Sequence, residues 1–171
     1  MRYVIVVAHP DDETIWAGGL AARLKCHIIA CSIPKRDPIR MTKFYDAVKA
    51  LGCTGEVLPV SENPPHPLDL SLLDLSEYDH IITHNEKGEY GHPMHIQVHN
   101  HICENYPDKR RSYFGYGHVG DDIRLTGDEI LDKIAALKCY DHDNGIDGKP
   151  KWVALIERYN IDVSKERHTF P

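Results

Sequence analysis

The chain has 171 residues, of which 42% are hydrophobic, and 20 basic against 26 acidic residues give a formal net charge of -6. This length supports one ordinary core, so we expect a single domain over residues 1–171. The composition excludes a disordered chain, and the acidic balance provides no basic footprint for nucleic acid. The basic cluster Lys109-Arg110-Arg111 is interpreted as a solvated loop.

The hydropathy of the chain and the spacing of its cysteines also exclude some classes of protein. No segment reaches the roughly 20 apolar residues of a membrane span, and the N-terminus shows no signal-peptide pattern, so we expect a cytoplasmic protein. A homo-oligomer is left open. The five cysteines are scattered without a CxxC pair, which predicts neither a disulfide framework nor a thiolate zinc site. Histidine is abundant, with 12 in the chain and five of them from His84 to His101.

Short apolar runs alternate with helical patterns along the whole chain. Residues 3–8 form a β-branched run that is typical of a buried central strand. The other predicted strands are 27–31, 56–58, 80–83, 112–117 and 123–126, and the predicted helices are 14–25, 38–51, 93–106 and 128–140. Residues 152–159 fit either a strand or a short helix. This order predicts an α/β fold with a Rossmann-like, doubly wound, mainly parallel sheet and helices on both faces.

One imidazole and three carboxylates follow the first predicted strand directly, in the segment Ala8-His9-Pro10-Asp11-Asp12-Glu13. Ligands of open α/β folds bind at the carboxyl ends of the strands. Such a density of charge is costly unless a cation compensates it, and catalytic zinc takes three nitrogen or oxygen ligands while keeping a fourth position for water. The alternative is an ordinary helix start, where acidic residues favour the helix dipole.

A second cluster follows the strand predicted at 80–83 and ends in Tyr90-Gly91-His92-Pro93-Met94-His95. His92 and His95 stand three residues apart at the start of a predicted helix, so both rings can lie on one side. Both clusters fall where the predicted fold has its cleft. Together they favour a metal site over two unrelated surface features.

With these motifs, the chain resembles the LmbE-like, or PIG-L, family of zinc-dependent N-deacetylases. The resemblance rests on the first strand ending in AHPDDE and on the segment from Thr83-His84 to YGHPMH. It extends to Arg40–Gly52 and to Ala136–Tyr140, while residues 152–159 resemble the closing strand of the family. The resemblance implies a Rossmann-like sheet without a dinucleotide, and substrates that are mostly N-acetylglucosamine conjugates.

Position by position, the resemblance implies that His9, Asp12 and His95 bind the metal, which is zinc or another divalent ion. It implies that Asp11 is the general base. It also implies that His92 either stabilises the tetrahedral oxyanion or protonates the leaving amine. The implied activity is the hydrolysis of an amide in a small N-acetylated molecule, such as an amino sugar or its conjugate.

Residues around the two motifs are open to two interpretations. Arg40 is a candidate substrate contact because its guanidinium offers a fork of donors, although it could equally be a helix-surface arginine. Asp69, Glu89 and Tyr90 are interpreted as structural residues near the rim.

Three positions depart from the pattern of the family, namely Lys43, Met94 and His142. Met94 lies between the two motif histidines, where the family often has Asp, and it cannot hydrogen-bond an imidazole as a carboxylate can. A nearby dication repels a protonated ring. We therefore expect His92 to titrate low.

Two other classes of protein compete with the deacetylase interpretation. A nucleotide-binding Rossmann-like enzyme would have a similar order of strands, but no GxGxxG follows the first strand. A non-catalytic binding module could use a metal only for stability. Such a structural site needs four closed ligands and no spare base, and the carboxylate of Asp11 beside the predicted ligands argues against it.

Overall fold

A computed structural model of the chain describes residues 1–35, 37, 39–62, 66–141 and 149–170. The predicted helix start at Pro38 and the departure at His142 lie outside the described residues. In chain order, the elements are β1 (Tyr3–Val7), α1 (Asp12–Leu24), β2 (His27–Ala30), α2 (Ile39–Ala50), β3 (Thr54–Val57), β4 (His80–Thr83), α3 (Gly88–Gly91), α4 (Pro93–Asn105), β5 (Arg110–Phe114), β6 (Asp121–Arg124), α5 (Gly127–Cys139), α6 (Lys151–Tyr159) and β7 (Lys165–Thr169).

The seven strands form one mixed sheet in the order β3-β2-β1-β4-β5-β7-β6. β1 pairs in parallel with β2 and β4, and β3 and β5 extend the parallel part on either side. β7 runs antiparallel to both β5 and β6. The strand order reverses between β1 and β4, so the crevice of this fold opens at the carboxyl ends of those two strands. The predicted mainly parallel, doubly wound sheet is confirmed.

Helices cover both faces of the sheet, and for this reason β1 is buried along Val4–Val7. Ile5 and Val7 pack with apolar residues of α1, α2 and α5. Val4 and Val6 point the other way and pack with α4 and with the leucines of the loop before β4. Within the described ranges, no helix is long and apolar enough to cross a membrane.

In the C-terminal region, the structure agrees with the short helix that was one of the two interpretations of residues 152–159, and not with the closing strand. Residues 152–159 are not a closing strand, because they belong to α6, where Trp152, Ile156 and Tyr159 pack against the core at helical spacing. The strand that completes the sheet is β7, which was not predicted from the sequence. Its buried residues are Glu166 and His168, so the alternation of apolar and polar residues that marks a strand is missing.

The basic cluster at residues 109–111 is not a solvated loop. Arg110 and Arg111 are the first residues of β5. The ammonium of Lys109 donates to the carbonyl oxygens of Ser76 and Tyr78 at 2.6 and 2.7 Å. Lys109 therefore ties the start of β5 to the loop before β4.

Candidate metal and catalytic site

A strained turn after β1 presents the first motif to the crevice. Asp11 has φ 111°, a region that residues other than glycine rarely occupy. Its backbone N–H donates to Oε2 of Glu13 at 2.9 Å, and Oε1 of Glu13 accepts from the hydroxyl of Tyr140 at 2.6 Å. The buried Glu13 thus holds the turn in place, which is the usual condition for backbone strain to persist at a functional site.

The structure places the two predicted histidine ligands next to one carboxylate oxygen of the third predicted ligand, Asp12. Oδ2 of Asp12 lies 3.0 Å from Nδ1 of His9 and 3.2 Å from Nε2 of His95. Nε2 of His95 is buried and has no hydrogen-bond partner among the described residues. An orphaned nitrogen facing a carboxylate is unusual in a folded protein, and it fits a metal ligand.

The electrostatics of these residues favour a positive charge at the centre of the site. Burial opposes charge on His95, but Asp12 and Glu89 raise its pKa to about 10. Burial also opposes charge on Asp12, yet His95 and His9 hold the pKa of that carboxyl well below its usual value. A divalent cation can take the place of the proton, because ligand atoms bind metals in their deprotonated form.

The carboxylate of Glu89 supports the site through hydrogen bonds to two histidines. Its Oε2 accepts from Nδ1 of His84 at 2.9 Å and from Nδ1 of His95 at 2.5 Å. A carboxylate behind a histidine fixes the tautomer and leaves the other ring nitrogen for a metal. Glu89 is buried and therefore does not lie at the rim. Its position five residues after His84 and six before His95 is the one feature of the sequence that could have revealed this contact.

His84 also belongs to the possible ligand groups, since Asp12, His84 and His95 have ligand atoms within 4.8 Å of one another, as do His9, His92 and His95. However, both nitrogens of His84 are already used. Nε2 accepts from the backbone N–H of Ala8 at 2.9 Å, and Nδ1 bonds to Glu89. We therefore assign His84 a structural role, in which its buried ring links the ends of β1 and β4, and not the role of a ligand.

His92 lies beside the predicted ligands, with its ring centroid 4.8 Å from that of His9 and 4.4 Å from that of His95. Its Nδ1 is buried and has no partner within the described part of the chain. Burial, followed by the charges of His95 and His9, lowers the pKa of His92 to about 4. The direction agrees with the expectation, although burial is the largest cause. Met94 places its sulfur 3.2 Å from Nε2 of His9.

Arg40 reaches the site from α2. A guanidinium nitrogen lies 3.4 Å from Oδ2 of Asp11, and another lies 3.3 Å from Oδ2 of Asp37. The side chain is 23% exposed, so it can contact a ligand while it pairs with Asp11. Asp69, by contrast, bonds to the backbone N–H of Ser71 at the surface and lies outside this group.

One neighbour of the site, Glu62, was not predicted from the sequence. Oε1 of Glu62 lies 3.7 Å from Nε2 of His9 and accepts from the hydroxyl of Ser32. Tyr90, which was expected near the rim, has its ring centroid 5.7 Å from that of His95, and its ring contacts those of Trp16 and Tyr159 in a tilted arrangement. Trp16 and Tyr159 line a cavity of about 540 Å³. These contacts join parts of the chain that are distant in sequence, so no local sequence pattern predicts them.

Sequence relatives give the first comparison. The chain is 28% identical to 1D-myo-inositol 2-acetamido-2-deoxy-alpha-D-glucopyranoside deacetylase of Corynebacterium diphtheriae, over 58% of this chain and 50% of that protein. It is 24% identical to the protein of the same name from Mycobacteroides abscessus, over 57% and 52% of the two chains. The chain spans about half the length of these relatives. No family model matches the chain.

Solved structures give the second comparison. N,N'-diacetylchitobiose deacetylase of Pyrococcus horikoshii superimposes with a TM-score of 0.66 at 12% identity, covering 99% of this chain and 83% of that one. The 4-carboxy-2-hydroxymuconate hydratase GalB of Pseudomonas putida KT2440 also gives 0.66, at 17% identity, covering 100% and 97%. These likenesses establish the fold. Since deacetylases and a hydratase share it, the reaction has to be argued from the site.

Proposed function

We propose that the chain is a metal-dependent N-deacetylase of the LmbE-like, or PIG-L, type, which hydrolyses the amide of a small N-acetylated amino sugar or its conjugate. The observation that carries the proposal is the contact of one carboxylate oxygen of Asp12, the neighbour of Asp11 in the chain, with a ring nitrogen of His9 and a ring nitrogen of His95. The deacetylase names of the sequence relatives support the same reaction. Zinc as the metal and a cytoplasmic location are parts of this proposal.

In the proposed reaction, each residue has a role that follows from its contacts. Asp11 takes a proton from the attacking water, and Arg40 stays close enough to help orient Asp11 or the substrate. A zinc ion bound by His9, Asp12 and His95 would lower the pKa of water to roughly 7 and polarise the amide carbonyl.

The remaining steps break the amide bond. Because the pKa of His92 is low, its ring acts as a neutral hydrogen-bond donor to the oxygen or nitrogen that gains charge. The water oxygen forms the new bond to the acyl carbon, the carbon–nitrogen bond breaks, and the proton held by Asp11 passes to the amine. The products are acetate and a primary amine.

A substrate panel tests the proposal. Acetate and new primary amine should be measured together against N-acetylated sugars, nucleosides and amino-sugar conjugates, with added zinc and with chelator. We expect equimolar release of both products, loss of activity in chelator and recovery with zinc. Acetate release that continues unchanged in chelator would contradict the proposed metal dependence. Turnover that consumes substrate without releasing amine would point to another reaction of this fold.

A further inference from the structure

A second pair of side chains of types that can bind metals lies outside the site described above. His99 and Cys103 stand four residues apart on α4, so their side chains lie on the same face of the helix. Nε2 of His99 is 3.6 Å from Sγ of Cys103, and the hydroxyl oxygen of Tyr113 on β5 is 3.5 Å from the same sulfur. The expectation of no thiolate zinc site rested on the absence of CxxC pairs, and a single Cys paired with His escapes that criterion.

The tautomer of His99 is set by its other nitrogen. Nδ1 lies 2.9 Å from the carbonyl oxygen of His84, and a carbonyl oxygen can only accept a hydrogen bond. Nδ1 therefore carries the proton, and Nε2 presents a lone pair towards Cys103. Histidines that bind metals almost always donate their second nitrogen to a carbonyl or carboxylate in this way.

The spacing of nitrogen and sulfur also suits a metal. Zinc binds thiolate sulfur at about 2.3 Å and imidazole nitrogen at about 2.0–2.1 Å in tetrahedral geometry, which separates the two ligand atoms by about 3.6 Å. The observed separation of 3.6 Å between His99 and Cys103 matches this value. A metal could therefore bind both atoms without moving the helix.

Two of these three residues line a cavity. His99, Cys103 and Tyr113 are only partly buried, and His99 and Tyr113 line a cavity of about 270 Å³ that can supply water to the remaining coordination positions. Burial, followed by the hydrogen bond with Cys103, raises the pKa of Tyr113 to about 12. The phenol is therefore protonated at neutral pH and can donate to the sulfur.

We propose that His99 and Cys103 form a second metal site, which takes a soft divalent cation such as Zn²⁺ or Cd²⁺. Thiolate and imidazole ligands favour such ions over Mg²⁺ or Ca²⁺. On binding, the thiol of Cys103 releases its proton, the sulfur bonds to the metal, and the hydroxyl of Tyr113 donates a hydrogen bond to the sulfur. Water completes the coordination. This site is independent of the proposed deacetylase activity.

Cadmium titration of the full chain tests the second site. The ultraviolet charge-transfer band of a cadmium–thiolate bond reports only ions bound to cysteine, and none of the proposed catalytic ligands is a cysteine. We expect a band that saturates at a single equivalent, disappears in Cys103→Ser and requires at least about tenfold more cadmium in His99→Ala. Zinc should compete for the site and remove the band.

Cys139→Ser provides the matched control, because Cys139 is also a partly buried cysteine on a helix, and its thiol donates a hydrogen bond to the carbonyl oxygen of Ala135. Its band should equal that of the unchanged protein. A full band in Cys103→Ser, an unchanged affinity in His99→Ala, or no band in the unchanged protein would each overturn the proposal. If Cys103→Ser fails to fold by circular dichroism, His99→Ala decides the matter.

Discussion

Asp11 and Asp12 are adjacent in the chain, but their carboxylates face different partners. Asp12 lies against His9 and His95, while Asp11 pairs with Arg40 across the turn. Asp11 has a positive φ of 111°, and the two carboxylates contact separate groups. The two residues therefore have distinct predicted roles, and single substitutions should separate them.

Asp11→Asn should retain the metal and lose activity by about 10²-fold or more, which is the scale of losing a general base. Asp12→Asn should lose the metal itself, because the amide removes the charge that both histidines face. Elemental analysis and kcat/KM on an active substrate check the two expectations together. If Asp11→Asn empties the site while Asp12→Asn stays loaded, the two assignments are reversed.

The predicted ligands can be tested without any substrate. We expect the purified protein to carry about one divalent ion, and His9→Ala or His95→Ala should remove most of it because each substitution leaves only two protein ligands. His101→Ala is the matched control, since this histidine lies on the same helix as His95 but contacts Asn105. An unchanged metal content in His9→Ala or His95→Ala would sink the assignment.

Glu89→Gln tests the support behind the ligands. The carboxylate accepts from His84, from His95 and, at 3.0 Å, from the backbone N–H of Asn85, whereas an amide turns one of these acceptors into a donor. Metal affinity should fall by about 10- to 100-fold. Competition with a chromophoric chelator measures the change, and Glu86→Gln in the exposed part of the same loop is the control. Equal affinities in the two variants would contradict the support role.

At the scale of elements, the backbone hydrogen bonds of α1 depend on a side chain of the last strand, β7. The helix is interrupted at Ala17, which has φ -140° and ψ 17°. An interruption leaves the N–H groups of the next turn without intrahelical acceptors. The carboxylate of Glu166 on β7 accepts from the N–H groups of Gly19 and Leu20 at 2.7 and 2.9 Å. It thus caps the second half of α1 from another element.

The same carboxylate forms a buried ion pair with Lys133 of α5 at 2.6 Å. Glu166→Gln should lower the free energy of unfolding by about 3 kcal/mol, because it leaves the ammonium of Lys133 buried without a counter-charge. Urea unfolding measures the loss. Glu157→Gln is the control, since its pair with Lys149 is about half exposed and should cost less than about 1 kcal/mol. Equal losses in the two variants would refute the argument.

The success of the sequence prediction varies between elements for a physical reason. β1 and β4 are buried on both faces, so their apolar runs identify them, and the two motifs that follow could be placed at one edge of the sheet. β7 was not predicted as a strand, because it buries charged and polar side chains. The contacts of Glu89 and Glu62 with the histidines depend on how loops meet in space, which periodicity does not reveal.

At the scale of the whole molecule, the Glu166 contacts join the two ends of the chain. Glu166 is 147 residues from Gly19 in sequence, and its pair with Lys133 adds α5 to the same group. The single domain over residues 1–171 stays a prediction. Contacts of this kind favour it, because the first helix cannot complete its hydrogen bonds without the last strand.

Glu166 should also make global stability depend on pH. Burial raises the pKa of this carboxyl, but Lys133 and His168 outweigh burial and hold it at about 2, against an ordinary value of 4.5. A carboxyl whose pKa is lower in the folded state contributes stability that is present above pH 4.5 and is lost as pH falls from 4.5 towards 2. The shift corresponds to roughly 3 kcal/mol.

The difference between the unchanged protein and Glu166→Gln isolates this contribution, because the other carboxylates titrate in both. Urea unfolding should be followed at a series of pH values from neutral to about 3, with chelator present so that metal release does not contribute. We expect the two free energies of unfolding to differ by a constant amount above pH 4.5 and to converge below it. A difference that stays constant through the acid range would mean that folding does not lower the pKa of Glu166.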